Sequence, residues 1–193
     1  MEARSLRAMS MDEYLALDRE DDARWEYVNG EAYAMAGGST AHARAAGNVY
    51  AALDRALDGK PCLPFTDAQK IATTRTAAYH YPDVSVVCPP FTRDAKDTHA
   101  LTSPVVLFEV LSPNTRAYDQ GDKFAHFRSI DTLTDYVLVD PDARMVEHRK
   151  KISVDQWLST FLSGGALALA SLEITLPIES FWKDLDRLAA PAV

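Results

Sequence analysis

The chain has 193 residues, 47% of them hydrophobic and 25% charged, a balance that excludes disorder and is long enough to bury a core without staples. With 28 acidic against 20 basic residues the formal net charge is −8, and no run of four or more Lys or Arg occurs, which excludes a protein that coats nucleic acid through a global basic field. Two cysteines, Cys62 and Cys88, allow at most one bridge and exclude a disulfide framework.

No basic start joined to an apolar stretch opens the chain, so no signal peptide is read. Ser10 stands three residues before Glu13, the spacing of a capping box, and predicts a short helix over about Met11 to Leu17. Arg24 to Val28, Asn29-Gly30 and Glu31 to Met35 read as a β-hairpin, because Asn-Gly supplies the positive φ of a two-residue turn. Gly37-Gly38 breaks the strand, and Ser39 or Thr40 caps a helix over about Ala41 to Leu57, which Gly59 ends. Two strands follow, about Leu63 to Ala72 and Tyr81 to Val87, the second with Pro82 tolerated near its start. Pro89-Pro90 ends it, and Arg93 to His99 is a charged loop.

Val105 to Leu111 is apolar at nearly every position, the mark of a strand buried on both faces near the centre of a sheet. Asp119 to Ile130 reads as a helix with Phe124, Phe127 and Ile130 on one face. Tyr136 to Val139 is another apolar strand, halted by Asp140-Pro141-Asp142-Ala143, and Met145 to Lys150 returns as a hairpin. Beyond it short apolar segments alternate with turns. The most apolar, Gly165 to Ile174, is shorter than the roughly 20 residues of a membrane span and carries Glu173. The order predicts an α/β (α+β) fold, a central mixed β-sheet flanked by helices behind an N-terminal helix and hairpin. One domain is expected over residues 10–188, with flexible tails at 1–9 and 189–193. A soluble cytoplasmic protein, in a reducing compartment and without a membrane partner, is the matching expectation.

Three charged residues stand out. Glu109 lies inside the most hydrophobic strand, where a carboxylate costs several kcal/mol, on the order of 5, unless a cation or a positioned Lys or Arg compensates it. Its other reading is a solvent-exposed strand end or a structural ion pair. Asp83 opens an apolar strand after Pro82, either as a turn residue or as a second carboxylate converging on an oxygen-ligated cation such as Mg²⁺ or Mn²⁺. Lys123 borders the apolar stripe of the following helix, and is either turned to the site or solvated and paired with Asp119. Rival chemistries lack their motifs: there is no G-x-S-x-G, H-E-x-x-H, C-x-x-C or P-loop.

Taken in order, Tyr81-Pro82-Asp83, Glu109-Val110-Leu111-Ser112-Pro113, Asp119 with Lys123, and Asp135 to Asp140 form a pattern. With the Trp25-Glu26-Tyr27-Val28-Asn29-Gly30-Glu31 hairpin and His42 in the next helix, it resembles the Uma-two family, restriction endonucleases of the PD-(D/E)XK nuclease superfamily. The likeness covers about Ser10 to Lys150. Leu111 stands where the superfamily name expects lysine; the family uses a lysine moved to the next helix, here Lys123. Phe127 stands where a tyrosine is common.

The resemblance implies a restriction-endonuclease-like core and a Mg²⁺-dependent endonuclease that hydrolyses DNA phosphodiester bonds, with Mn²⁺ as a substitute. Asp83, Glu109 and the carbonyl of Val110 would be the metal ligands. Lys123 would orient or help deprotonate the attacking water, or stabilise developing charge. Glu26 would lean in from the N-terminal segment, through a water or at a second metal; His42 is a weaker candidate. A homodimer is also expected, since two sites about a two-fold axis cut both strands. The apolar C-terminal residues Leu167, Leu169, Leu172, Ile174, Leu176, Phe181 and Trp182 are expected to supply part of its interface. The alternative is a nuclease-fold DNA-binding or regulatory protein without turnover, which the acidic composition favours.

Overall fold

The structure, a computed structural model, describes residues 5–20, 23–35 and 37–188. Strand β1 (Ser5–Ala8) leads to helix α1 (Met11–Glu20), which starts where the Ser10 amide and hydroxyl both donate to Glu13 Oε2, at 2.7 and 2.8 Å. The hairpin β2 (Trp25–Val28) and β3 (Glu31–Ala34) turns on Asn29 and Gly30, at φ of 52° and 85°. Helix α2 (Thr40–Ala56) is capped by Ser39, whose hydroxyl accepts from the His42 amide at 3.1 Å.

Then come β4 (Leu63–Thr66), β5 (Ile71–Thr73), β6 (Ala78–His80), β7 (Val84–Val87) and β8 (Pro104–Val110). Helices α3 (Arg116–Gln120) and α4 (Asp122–Phe127) cross over to β9 (Asp135–Asp140), followed by β10 (Met145–Lys151) and β11 (Trp157–Leu162). Strands β12 (Ala166–Leu169) and β13 (Ile174–Pro177) form a small hairpin sheet. Three short 3₁₀ turns complete the described C-terminal region.

Two larger sheets carry the fold. One runs β1-β3-β2-β6-β5, the other β11-β10-β9-β8-β7-β4. Only β8 and β9 pair in parallel among the described strands, and the α3–α4 segment is the crossover that parallel strands require. Helix α2 and the C-terminal segment cover one face of the six-stranded sheet through Val49, Leu53, Val106, Phe108, Val110 and Phe181. Leu107, Phe127, Tyr136 and Leu138 form the core on the other face. Helix α1 packs on the five-stranded sheet through Tyr14 and Leu15.

Several expectations change. The strand expected over Leu63 to Ala72 is two strands in two different sheets, because Asp67 to Lys70 turn between them. Asp67 pairs with Arg24, and Lys70 is drawn in between Asp18 and Asp97, at 2.5 Å from each. The strand expected from Tyr81 starts at Val84, and Tyr81-Pro82-Asp83 is the link that leaves one sheet and enters the other. The helix expected over Asp119 to Ile130 begins at Arg116 and breaks at Gly121. Residues 5–8, expected in a tail, form edge strand β1; residues 1–4 and 189–193 of the expected tails lie outside the described residues.

The C-terminal apolar residues are not a dimer surface. Leu167, Leu169, Leu172, Ile174, Leu176, Phe181 and Trp182 are all buried in the chain's own core. Cys62 and Cys88 form the single bridge open to them, one position beyond the Leu63–Val87 pair of β4 and β7. That bond stands against the expected reducing compartment. No described helix is long and apolar enough to cross a membrane.

Candidate active site

Alternation along β8 decides which way its charge points. Val106, Phe108 and Val110 enter the core under α2, so Leu107 and Glu109 face the α4 side. Glu109 is only 2% exposed, which removes the solvent-exposed reading. Strand β7 pairs with β8 at Val84–Phe108, and one residue beyond that pair lie Asp83 and Glu109. Asp83 is fixed there: its Oδ2 accepts from the Val110 amide at 2.6 Å and its Oδ1 lies 3.0 Å from His42 Nε2.

The five-stranded sheet supplies the rest. Tyr27 pairs with Tyr79, and the neighbouring positions place Glu26 beside His80. Glu26 Oε1 accepts from the Tyr81 amide at 3.0 Å, and Oε2 lies 3.3 Å from His80 Nδ1. His80 Nε2 in turn faces His126 Nδ1 on α4 at 3.1 Å, so at most one proton lies between the two rings.

Lys123 joins the two sheets. Its Nζ is 2.8 Å from Glu109, 3.5 Å from Glu26 and 3.9 Å from Asp119. It is buried at 6% exposure, so the solvated pairing with Asp119 does not hold, although Asp119 is one of its partners. Burial works against its charge, but Glu109, Glu26 and Asp119 outweigh it and hold the ammonium well above the usual lysine range. Burial pushes Glu109 well above the carboxylate range; Lys123 opposes this, while Asp119 and Asp83 add to it. Burial also acts to raise Glu26, but Lys123, His80 and the Tyr81 amide bring it down to about 2. The bond to Asp83 raises His42 above its ordinary value against the effect of burial, and the Val110 backbone adds to the rise.

The structure therefore brings Glu109, Lys123 and Glu26 into contact, while Asp83 lies near enough to raise Glu109 but is itself bound by His42 of α2 and the Val110 amide. His42, discounted as a lone helical histidine, is the partner of Asp83. His80 and Asp119 were missed as site residues. His80 directly precedes Tyr81-Pro82-Asp83, the only hint it offered.

The donors fit a hard cation in kind. Glu109 Oε1 is buried and, despite the close Lys123, has no aligned hydrogen-bond donor; Asp83 stands across from it. Mg²⁺ takes one or two carboxylates and keeps several waters, so an all-oxygen pair suits it. No group of three or more His, Cys, Asp or Glu is arranged to hold a metal among the described residues. A cleft of about 500 Å³ opens beside Asp83 and His42.

The pattern of the Uma2 family, described as "Putative restriction endonuclease", matches residues 11–179. The chain belongs to the Uma2 family. Two relatives from Synechocystis sp. accompany it. The uncharacterized protein slr1290 is 33% identical over 178 residues, covering 92% of this chain and 93% of that protein. The uncharacterized protein sll1609 is 32% identical over 154 residues, covering 79% and 86%. The fold of this Uma2 protein matches a crystal structure described as "a putative nuclease belonging to DUF820", from Anabaena variabilis, with a TM-score of 0.73. The match covers 92% of this chain and 99% of that one at 16% identity, and shows the shared fold.

Proposed function

We propose that this Uma2 protein is a metal-dependent endonuclease hydrolysing DNA phosphodiester bonds. The observation that carries the reading is Glu109, a buried carboxylate at the end of β8, opposite Asp83 and against Lys123. Asp83 and Glu109, with the Val110 carbonyl, would hold Mg²⁺ or Mn²⁺, which when bound supplies charge neutralisation and a water of lowered pKa. Lys123 stays charged, so it orients a water or phosphate oxygen and steadies negative charge; it is not a free base. Glu26 would help set the Lys123 ammonium, 3.5 Å away, and is itself held by Tyr81 and His80. Two copies about a two-fold axis would cut both strands of a duplex.

A second reading, a nuclease fold that binds without turnover, draws on one feature. His42 and Lys123 already partner Asp83 and Glu109 without a metal. The test is a cleavage assay on supercoiled, linear and single-stranded DNA with Mg²⁺ and Mn²⁺, beside an Asp83→Ala control. Metal-dependent nicking lost in the control supports the enzyme. DNA binding with no cleavage, and no heat on titration with Mn²⁺, supports the second reading.

A further inference from the structure

Gly47 lies inside α2, where glycine weakens a helix relative to alanine. Helices keep an interior glycine when a neighbour crowds it; of the other glycines Gly38 and Gly121 are crowded, Gly59 and Gly165 have room but hold a positive φ, and Gly37 lies open in a loop. A Cβ on Gly38 would lie 2.6 Å from the His42 ring, and one on Gly121 would lie 3.0 Å from the Ala117 carbonyl oxygen. A Cβ on Gly47 would meet nothing within 4 Å. No described residue crowds this glycine, and it is an exposed part of the wall of the cleft of about 500 Å³ that reaches Asp83 and His42.

The other walls describe what would fill the space. Arg24 is cancelled by Asp67 at 2.9 Å, and Asp83 is acidic, so the cleft offers no surplus positive charge to a phosphate. It does offer a guanidinium donor, a carboxylate acceptor and the half-buried ring of Tyr50. Mixed donors and acceptors around an aromatic face suit an uncharged heteroaromatic ring, and the volume is that of a small-ligand site. The end of the cleft is Asp83, where the scissile phosphate would lie.

We propose that the cleft holds one unpaired nucleobase of the strand being cut, so that the preferred substrate is single-stranded DNA or a duplex opened at the cut. This rests on the endonuclease reading and narrows its substrate. A duplex pays an unpairing cost to place a base there, and a single strand does not.

The test uses the full chain, a labelled single-stranded oligonucleotide and the same sequence as a blunt duplex, measured by fluorescence anisotropy in Ca²⁺. Wild type should bind the single strand more tightly. Gly47→Leu fills the cleft from a position with room for its Cβ, so it should melt at or above wild type. It should also lose roughly tenfold or more of single-strand affinity, and with it the preference over duplex. Tyr50→Leu should weaken single-strand binding by roughly 5- to 100-fold, the loss expected when a stacking ring is removed.

A Gly47→Leu protein that is folded and binds single strands as wild type does overturns the assignment, as does a wild type that favours duplex. Cleavage measured alongside separates the two readings. If wild type and Gly47→Leu cut single strands equally, the cleft falls and the nuclease stands. If neither cuts but Gly47→Leu alone loses single-strand binding, the cleft stands and the nuclease falls. If wild type binds no oligonucleotide, both fall.

Discussion

Lys123 keeps its charge because Glu109, Glu26 and Asp119 surround it, and that charge is what a phosphate in transition would meet. Lys123→Ala is expected to slow single-turnover cleavage by about 10²–10³ while Mn²⁺ affinity measured by calorimetry is kept, since the proposed ligands Asp83 and Glu109 lie elsewhere. Lys123→Arg should restore only part of the rate, because a planar guanidinium does not replace a compact ammonium. Full activity in Lys123→Ala would remove it from the site. Glu109 carries the opposite liability. Its folded pKa lies above the ordinary 4.5, so its own contribution to stability is fully present below 4.5 and is lost as pH rises toward the folded value. Glu109→Gln should therefore melt at or above the wild-type temperature near neutral pH, with Glu26 and Asp119 still facing Lys123, while cleavage is abolished; a much lower melting temperature would mark a structural ion pair instead. These two residues were legible because a charge in an apolar strand, or on the border of an apolar stripe, breaks a pattern. His80 broke none and became visible only when β2 met β6; Asp119, already named as a partner for Lys123, joined the site only when α3 turned into α4.

Gly121 shows how a break in an element aims a side chain. It ends α3 and starts α4, two residues before Lys123, and its missing Cβ leaves room for the Ala117 carbonyl oxygen. Gly121→Ala must move that neighbour by a few tenths of an ångström. It is expected to lower cleavage more than it lowers the denaturation midpoint, and equal small effects on both would remove Gly121 from the alignment of the site. Strand β4, at the edge of the six-stranded sheet, is tied to β7 by the Cys62–Cys88 bridge across a separation of 26 residues. A loop of that size constrains the unfolded chain by about 3 kcal/mol, so reductant should lower the urea unfolding free energy by about that much. No effect of reductant, or free thiols in the untreated protein, would oppose this.

At this scale the sequence was readable where one period ran uninterrupted, as in β8, α2 and the Asn29-Gly30 hairpin. It was not readable where a run of suitable residues divides between partners. Leu63 to Ala72 looks like one strand because the turn at Asp67 to Lys70 contains neither Gly nor Pro, and much of what holds it, from Arg24, Asp18, Asp97, His99 and Leu101, is far off in sequence.

Over the whole molecule the shifted carboxyls, with His42, fall into two pH windows, while His126, lowered by burial and by His80, opposes the first of them. Glu109 and Asp119 are raised, and His42 is raised by Asp83, so all three favour the folded state as pH drops through their folded values toward their ordinary ones. Glu26, Asp97, Asp135 and Asp140 are lowered, so the stability they contribute is lost as pH falls from about 4 toward 2. Melting temperature should thus rise from neutral pH to a maximum at about pH 4.5–5 and then drop, and Glu109→Gln should flatten the first limb. A maximum near pH 8 would contradict the assignment of these shifts. The link Tyr81-Pro82-Asp83 carries a further consequence. Glu26 and His80 arrive on one sheet and Glu109 on the other, with Asp83 on the strand of chain between them and Lys123 on a helix made later still. A nascent chain emerging from the ribosome therefore holds fragments of the proposed site but not the whole, until β8 and α4 have been synthesised and both sheets have docked. On the endonuclease reading, completion of folding is then itself what switches cleavage on.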